Sequence, residues 1–248
     1  MSDVIGIQAV RAVLRETPER GRCLHILQGR RDARINELIG LARSAGVRYQ
    51  TVQAGFFGRR LADESDAAHQ GVLLECRELT THSEKELLAH VAQLSTPALL
   101  LVLDGITDPR NLGACLRSAN AAGVDAVVLP KRQSAPLNAV ALKTAQGGAE
   151  DLFIAEVTNL ARALKALKEQ GVWLVGADGE AQQAYTTPDL SGAIAVVMGS
   201  EGSGLRRLTR ELCDYLVSIP MQGSVASLNV SVACGILLFE ANRQRQSP

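Results

Sequence analysis

Five polar residues in three short stretches carry the side chains with which this 248-residue chain could do chemistry. Asn111 and Arg117 stand in NLGACLR, Glu201 in MGSEGSG, and Ser227 and Asn229 in SLNVS. Each stretch lies beyond an apolar run of strand length: ALLLVLDGI before the first, IAVVM before the second, YLVS before the third. In open parallel sheets, ligands bind outside the carboxyl ends of the strands, which is where these loops fall. Two amides, a carboxylate, a hydroxyl and a guanidinium form a hydrogen-bonding set suited to orienting a polar substrate, with arginine able to hold phosphate. Singly, each also has a structural use. Arg117 fits a helix surface, Asn111 a turn, and Glu201, Ser227 or Asn229 the start of a helix.

Several chemistries are excluded by what is missing. All four histidines (His25, His69, His82, His90) precede residue 97, so the later part of the chain has no histidine base or ligand of its own. That argues against Ser-His-Asp hydrolysis and ordinary zinc catalysis there. The loop GSEGSGLRR has Gly199 and Gly204 at phosphate-loop spacing, but Leu205-Arg206 stands where lysine and serine or threonine belong. A dinucleotide fingerprint fails as well, because Arg207 occupies the third glycine position. The first strand of this part leads into DGITDPRNLGA rather than into the glycine-rich loop of a classical methyltransferase. Five cysteines, odd in number and without C-x-x-C spacing, argue against both a disulfide framework and a zinc site, and read as small core residues.

The elements that must position these residues follow from periodicity. GIQAVRAVLRE, CLHILQG, RINELIGLARSAG, VRYQTVQA and GVLLEC read as helix, strand, helix, strand and strand of a small α/β module over residues 1–78. Residues 79–96 read as a polar, then amphipathic, connector. From 97 to 248, strands and helices alternate strictly, which predicts a parallel sheet covered on both faces. Leu112, Cys115, Leu116 and Ala119 define one buried helix face, with Asp108-Pro109 as N-cap and first helical residue. The formal net charge is zero and 46% of residues are hydrophobic, enough for packed cores. The basic residues of 1–78 are twelve arginines and no lysine, including Arg30, Arg31 and Arg34 and the pair Arg59 and Arg60. An arginine-only set fits RNA contact, and equally fits a compositional bias. The charged first twenty residues are no signal peptide, and no apolar run reaches the length of a membrane span, so the expected location is cytoplasmic.

NLGACLR (111–117), MGSEGSG (198–204) and IPMQGSVASLNVS (219–231), together and in this order, resemble the three motifs of the SpoU branch of the SPOUT RNA methyltransferases. With the N-terminal module ending in HQGVLLEC, the whole chain is similar to those members that methylate a guanosine ribose in the P-site (peptidyl-transferase) loop of 23S rRNA. The resemblance implies an α/β fold with a C-terminal trefoil-knotted domain at 97–248, and an L30e-like RNA-binding domain at 1–78. It implies S-adenosyl-L-methionine as cofactor, lined by Gly199, Ile219 and Leu228, and catalytic roles for Asn111, Arg117, Glu201, Ser227 and Asn229. It also implies a homodimer packed through the knot, no metal and no membrane partner, and 23S rRNA or its assembling particle as substrate. A tRNA ribose 2′-O-methyltransferase and a non-catalytic RNA-binding protein on the same fold are the alternatives.

Overall fold

The computed structural model describes residues 2–30, 32–61, 69–76 and 79–246; Arg31 of the arginine cluster lies outside them. In chain order the elements begin with β1 (Ser2–Ile5), α1 (Ile7–Glu16), β2 (Gly21–Leu27), α2 (Ala33–Ser44), β3 (Arg48–Val52), α3 (Ala54–Arg60), β4 (Val72–Cys76) and α4 (Glu84–Gln93). They continue with β5 (Leu99–Asp104), α5 (Pro109–Ala121), β6 (Ala126–Pro130), α6 (Ala139–Ala145), β7 (Ile154–Val157) and α7 (Leu160–Glu169). The remainder comprises β8 (Trp173–Ala177), β9 (Gln183–Ala184), β10 (Ile194–Gly199), α8 (Arg207–Leu212), β11 (Tyr215–Ser218) and α9 (Val230–Gln246). These pack as two units, Met1–Leu79 with Leu137–Asp151, and Thr80–Pro136 with Leu152–Pro248.

The first unit is a four-stranded sheet in the order β1-β4-β2-β3. β2 and β3 are parallel, whereas β4 runs antiparallel to β1 and β2. Val4, Leu24, Ile26 and Leu74 on one face join Val10, Val13, Ile35 and Leu38 of α1 and α2 in a continuous core. Ile5 and Leu73, on the other face, meet Phe57 of α3. Asp32 caps α2, accepting from the backbone N–H of Arg34 and Ile35. The segment 137–151 adds α6, and its Gly147 has φ +93 with no room for a side chain, since a Cβ there would lie 2.2 Å from Cβ of Ala12.

The second unit is a seven-stranded sheet, β7-β6-β5-β10-β8-β11-β9, and every strand pair in it is parallel. Burial on both faces explains why β5 (LLLVLD) and β10 (IAVVMG) are near-continuous apolar runs rather than alternating ones. Leu100, Val102, Ala126, Val128, Ala195 and Val197 share a core with Leu160, Leu164 and Leu167 of α7. The segment read as a connector carries α4, opened by a Ser83/Glu86 capping box, and its Leu87 and Val91 belong to that same core. On α5, Asp108 accepts from Arg110 N–H, Pro109 opens the helix, and Leu112, Cys115, Leu116 and Ala119 are fully buried, as the periodicity predicts.

The last helix, α9, runs from the carboxyl ends of the strands back to their amino ends, packing on α5. At 17 residues it spans about 26 Å. Arg245 fastens its far end by donating to the carbonyls of Pro97 (3.0 Å), Ala98 (2.9 Å), Leu190 (3.3 Å) and Gly192 (2.6 Å). Cys23, Cys76, Cys115 and Cys234 are buried, Cys213 is partly so, and all are free thiols. Burial raises Cys76 and Cys213 to about 12, so neither is a thiolate at neutral pH. Among the described residues no helix is long and apolar enough to cross a membrane.

Candidate active site

The strand order reverses direction between β5 and β10: the connection from β5 leads outward to β6 and β7, that from β10 the other way, past β8, to β11. A crevice opens at such a switch point, outside the carboxyl ends of the two strands. Asp104 and Gly199 face each other in register there. From β5 the chain turns into α5, which presents Asn111; from β10 it turns into the loop that presents Glu201. The third stretch starts at the end of β11, two strands away from β5's neighbour, and residues 219–229 bring the chain back to the crevice.

Three of the five expected catalytic residues meet in one hydrogen-bonded cluster. Asn111 Nδ2 donates to Glu201 Oε1 at 2.7 Å, and Asn229 Nδ2 donates to the same oxygen and to Asn111 Oδ1, each at 3.0 Å. The orientation of Asn229 is set from behind, because its Oδ1 accepts from Ser231 N–H (2.9 Å) and Ser231 Oγ (2.6 Å). Asn229 therefore caps α9 with one end of its amide and joins the crevice with the other. Glu201 Oε1 takes both amides, which leaves Oε2 without a partner among the described residues.

Arg117 and Ser227 do not join this cluster. Arg117 lies one and two-thirds turns further along α5 than Asn111, exposed, and forms no hydrogen bond or ion pair among the described residues. Ser227 is likewise exposed, in the segment between β11 and α9. Gly199 is buried, and a Cβ on it would lie 2.1 Å from the carbonyl carbon of Gly204. Its role here is to let the loop fold back on itself, closed by reciprocal backbone bonds of 3.0 Å between Ser200 and Gly204. Ile219 and Leu228 are half-buried at the two ends of that segment. Between them, residues 220–227 form no backbone hydrogen bond among the described residues, so their C=O groups and the N–H groups of 221–227 are available to a ligand.

Two residues of the crevice escape a reading by motif. Asp104 is fully buried at the end of β5; its Oδ2 accepts from Arg206 N–H at 3.2 Å, and the Arg206 guanidinium stands 3.4 Å from Oδ1. The pair ties down the loop that carries Glu201. A lone carboxylate ending an otherwise apolar strand was the available signal. Among the described residues no group of three histidine, cysteine or carboxylate side chains is arranged to hold a metal ion.

The SpoU rRNA methylase family model matches residues 98–239, and a model for RNA 2′-O ribose methyltransferase substrate binding matches residues 4–82. The chain belongs to the SpoU family. It is 51% identical over 247 residues to the 23S rRNA (guanosine-2′-O-)-methyltransferase RlmB of Escherichia coli, covering 99% of this chain and 100% of that one. The RlmB of Vibrio cholerae is 49% identical, with 98% and 97% covered. Among solved structures, the SpoU methyltransferase AviRb from Streptomyces viridochromogenes, crystallised with the cofactor AdoMet, superposes with a TM-score of 0.79 over 99% of this chain and 91% of its own, at 22% identity. The A. aeolicus TrmH/SpoU tRNA modifying enzyme reaches a TM-score of 0.56 at 28% identity, covering 66% of this chain and 84% of its own. The Asn111, Glu201 and Asn229 cluster of this SpoU protein is thus one residue from each of the three stretches that carry the resemblance.

Proposed function

We infer that this SpoU protein methylates the ribose 2′-oxygen of a guanosine in 23S rRNA, in its P-site loop, with S-adenosyl-L-methionine as the methyl donor. The observation that carries the reading is the meeting of Asn111, Glu201 and Asn229, which are 90, 118 and 28 positions apart pairwise in the chain. The RlmB relatives, matched end to end, support the substrate class.

The residues present suit the cofactor. Ile219 and Leu228 offer apolar contact to an adenine, and the unpaired backbone groups of 220–227, with the loop opened by Gly199, offer hydrogen bonds to its polar edge and to the ribose. Bound there, the cofactor supplies a methyl group on a sulfonium, a good leaving group. What the chain must add is position and a more nucleophilic hydroxyl. Glu201 Oε2 is free to accept from a ribose hydroxyl, while the two amides hold the carboxylate in place. Arg117 has no partner among the described residues, and a guanidinium suits an adjacent phosphate or a developing alkoxide better than proton abstraction. Ser227 adds a hydroxyl to the same rim. The C-terminal threading into a knot is part of this reading, supported by the return of residues 219–229 across the strand ends. So is a homodimer, supported by Val225, Val232 and Phe239, exposed large apolar residues on and before α9. The module at 1–78 is read as the RNA-binding part and 97–248 as the catalytic part, acting in the cytoplasm.

The test is transfer of labelled methyl groups to unmodified 23S rRNA and, in parallel, to unmodified tRNA, followed by nucleoside analysis. Label in 2′-O-methylguanosine from rRNA alone is the expected result; label in tRNA alone overturns the substrate assignment.

A further inference from the structure

The two faces of the four-stranded sheet are covered unequally. α1 and α2 bury one face, whereas the other meets α3, seven residues long. On that second face Phe56 lies flat against His25, ring centroids 4.5 Å apart and 23° between planes. His25 is itself held by Gln50 (3.0 Å) and by Glu75 (3.6 Å). Beside this stack, Phe56, Arg59 and Arg60 line a hollow of about 210 Å³.

The two arginines are in different states. Arg60 is clamped: Nε and Nη2 donate to Asp3 at 2.7 and 3.2 Å, and Nη2 also to Glu75 at 3.0 Å. Arg60 is thereby held between Asp3 and Glu75 as a fixed wall. Arg59 is exposed and has no hydrogen bond or ion pair among the described residues. Its guanidinium stands next to an aromatic ring already backed by a second ring. An aromatic platform with a free guanidinium at its edge is the arrangement that holds an unpaired nucleotide, base on the ring and phosphate on the cation.

We propose that the hollow on α3 is a nucleotide subsite, in which an unpaired base of the RNA substrate stacks on Phe56 and its phosphate pairs with Arg59. The inference rests on the reading of this protein as an rRNA methyltransferase and adds to it a contact on the N-terminal unit. Arg60 acts as a positioning residue, fixing the edge of the hollow.

The experiment compares the full chain with Phe56→Leu and Arg59→Gln. Affinity for an unmodified 23S rRNA transcript is measured across a salt series, alongside KM and kcat for methyl transfer, affinity for S-adenosylmethionine and thermal unfolding. Phe56→Leu is expected to weaken RNA binding about tenfold at every salt concentration, leaving the salt slope unchanged. Arg59→Gln is expected to lower the slope of log affinity against log salt by about one. Both should raise KM for RNA and leave kcat and cofactor affinity unchanged. RNA affinity and salt slope equal to those of the unsubstituted protein in both variants would overturn the subsite. Should Phe56→Leu fail to fold, Arg59→Gln at an exposed position still decides the matter through its salt slope. An unsubstituted protein that neither binds nor methylates the transcript would overturn the underlying reading, which the unsubstituted arm reports independently of the variants.

Discussion

Asn229 holds two jobs in one side chain, and they can be separated by substitution. Alanine removes both the cap on α9 and the link to Asn111 and Glu201, so Asn229→Ala should cost about 1 kcal/mol of stability and more than tenfold in activity. Serine caps nearly as well as asparagine but cannot reach Glu201. Asn229→Ser should therefore keep the thermal midpoint close to that of the unsubstituted protein while losing activity as the alanine variant does, as read by calorimetry and methyl transfer. For Arg117, exposed and without a partner among the described residues, the expectation is different. Arg117→Ala should leave stability within about 0.5 kcal/mol and cofactor affinity within a few-fold, yet abolish transfer. A parallel loss of cofactor binding in titration calorimetry would reassign Arg117 to the cofactor. Neither role could be told from residue type: an arginine on a helix and an asparagine at a cap are ordinary features, and only their neighbours across the chain distinguish them.

β2 of the first unit carries a titratable group inside its packing. Burial pushes the pKa of His25 below its ordinary value, while Glu75 pulls it the other way. A histidine with a depressed folded pKa favours the folded state fully above its unfolded pKa of about 6.5. As pH falls through that value, the unfolded chain takes up a proton that the folded one resists, and stability declines. Amide exchange protection of β2 and β4 should accordingly weaken between pH 7 and pH 5, and His25→Gln should flatten that dependence. The element-level reading from sequence found β2, β4 and α5 because their apolar periodicity is long and clear. It missed β1, only four residues long, and read no helix at 54–60, where AGFFGRR has two glycines and little period. Short elements of this kind are held by their neighbours, β1 by pairing with β4 and α3 by the burial of Phe57.

For the whole molecule, the boundary between parts is a prediction about truncation. Deleting residues 1–79 removes the first sheet but keeps α4, whose Leu87 is fully buried in the core of the second unit. That fragment is expected to fold, bind S-adenosylmethionine and lose selectivity for 23S rRNA. Deleting 1–96 also strips Leu87 and Val91 from the core, a loss of the order of 2–5 kcal/mol for the leucine alone. The shorter fragment should unfold at a clearly lower temperature by circular dichroism. Equal midpoints would show that α4 is dispensable to the second unit.

Much of this architecture was determined by the chain itself. Two-sided burial requires β5 and β10 to be apolar throughout, a buried helix face requires the spacing of Leu112, Cys115, Leu116 and Ala119, and the three loops follow because strands must end. Those are local patterns, set by period and by capping chemistry, and they survive in a linear reading. What the tertiary structure decided is which loop residues meet. Asn111, Glu201 and Asn229 converge because the strand order reverses between β5 and β10 and the chain after β11 returns to that point, neither of which is a property of any window of sequence. The pairing of buried Asp104 with Arg206, and the stacking of Phe56 on His25, are likewise consequences of packing between segments distant in the chain.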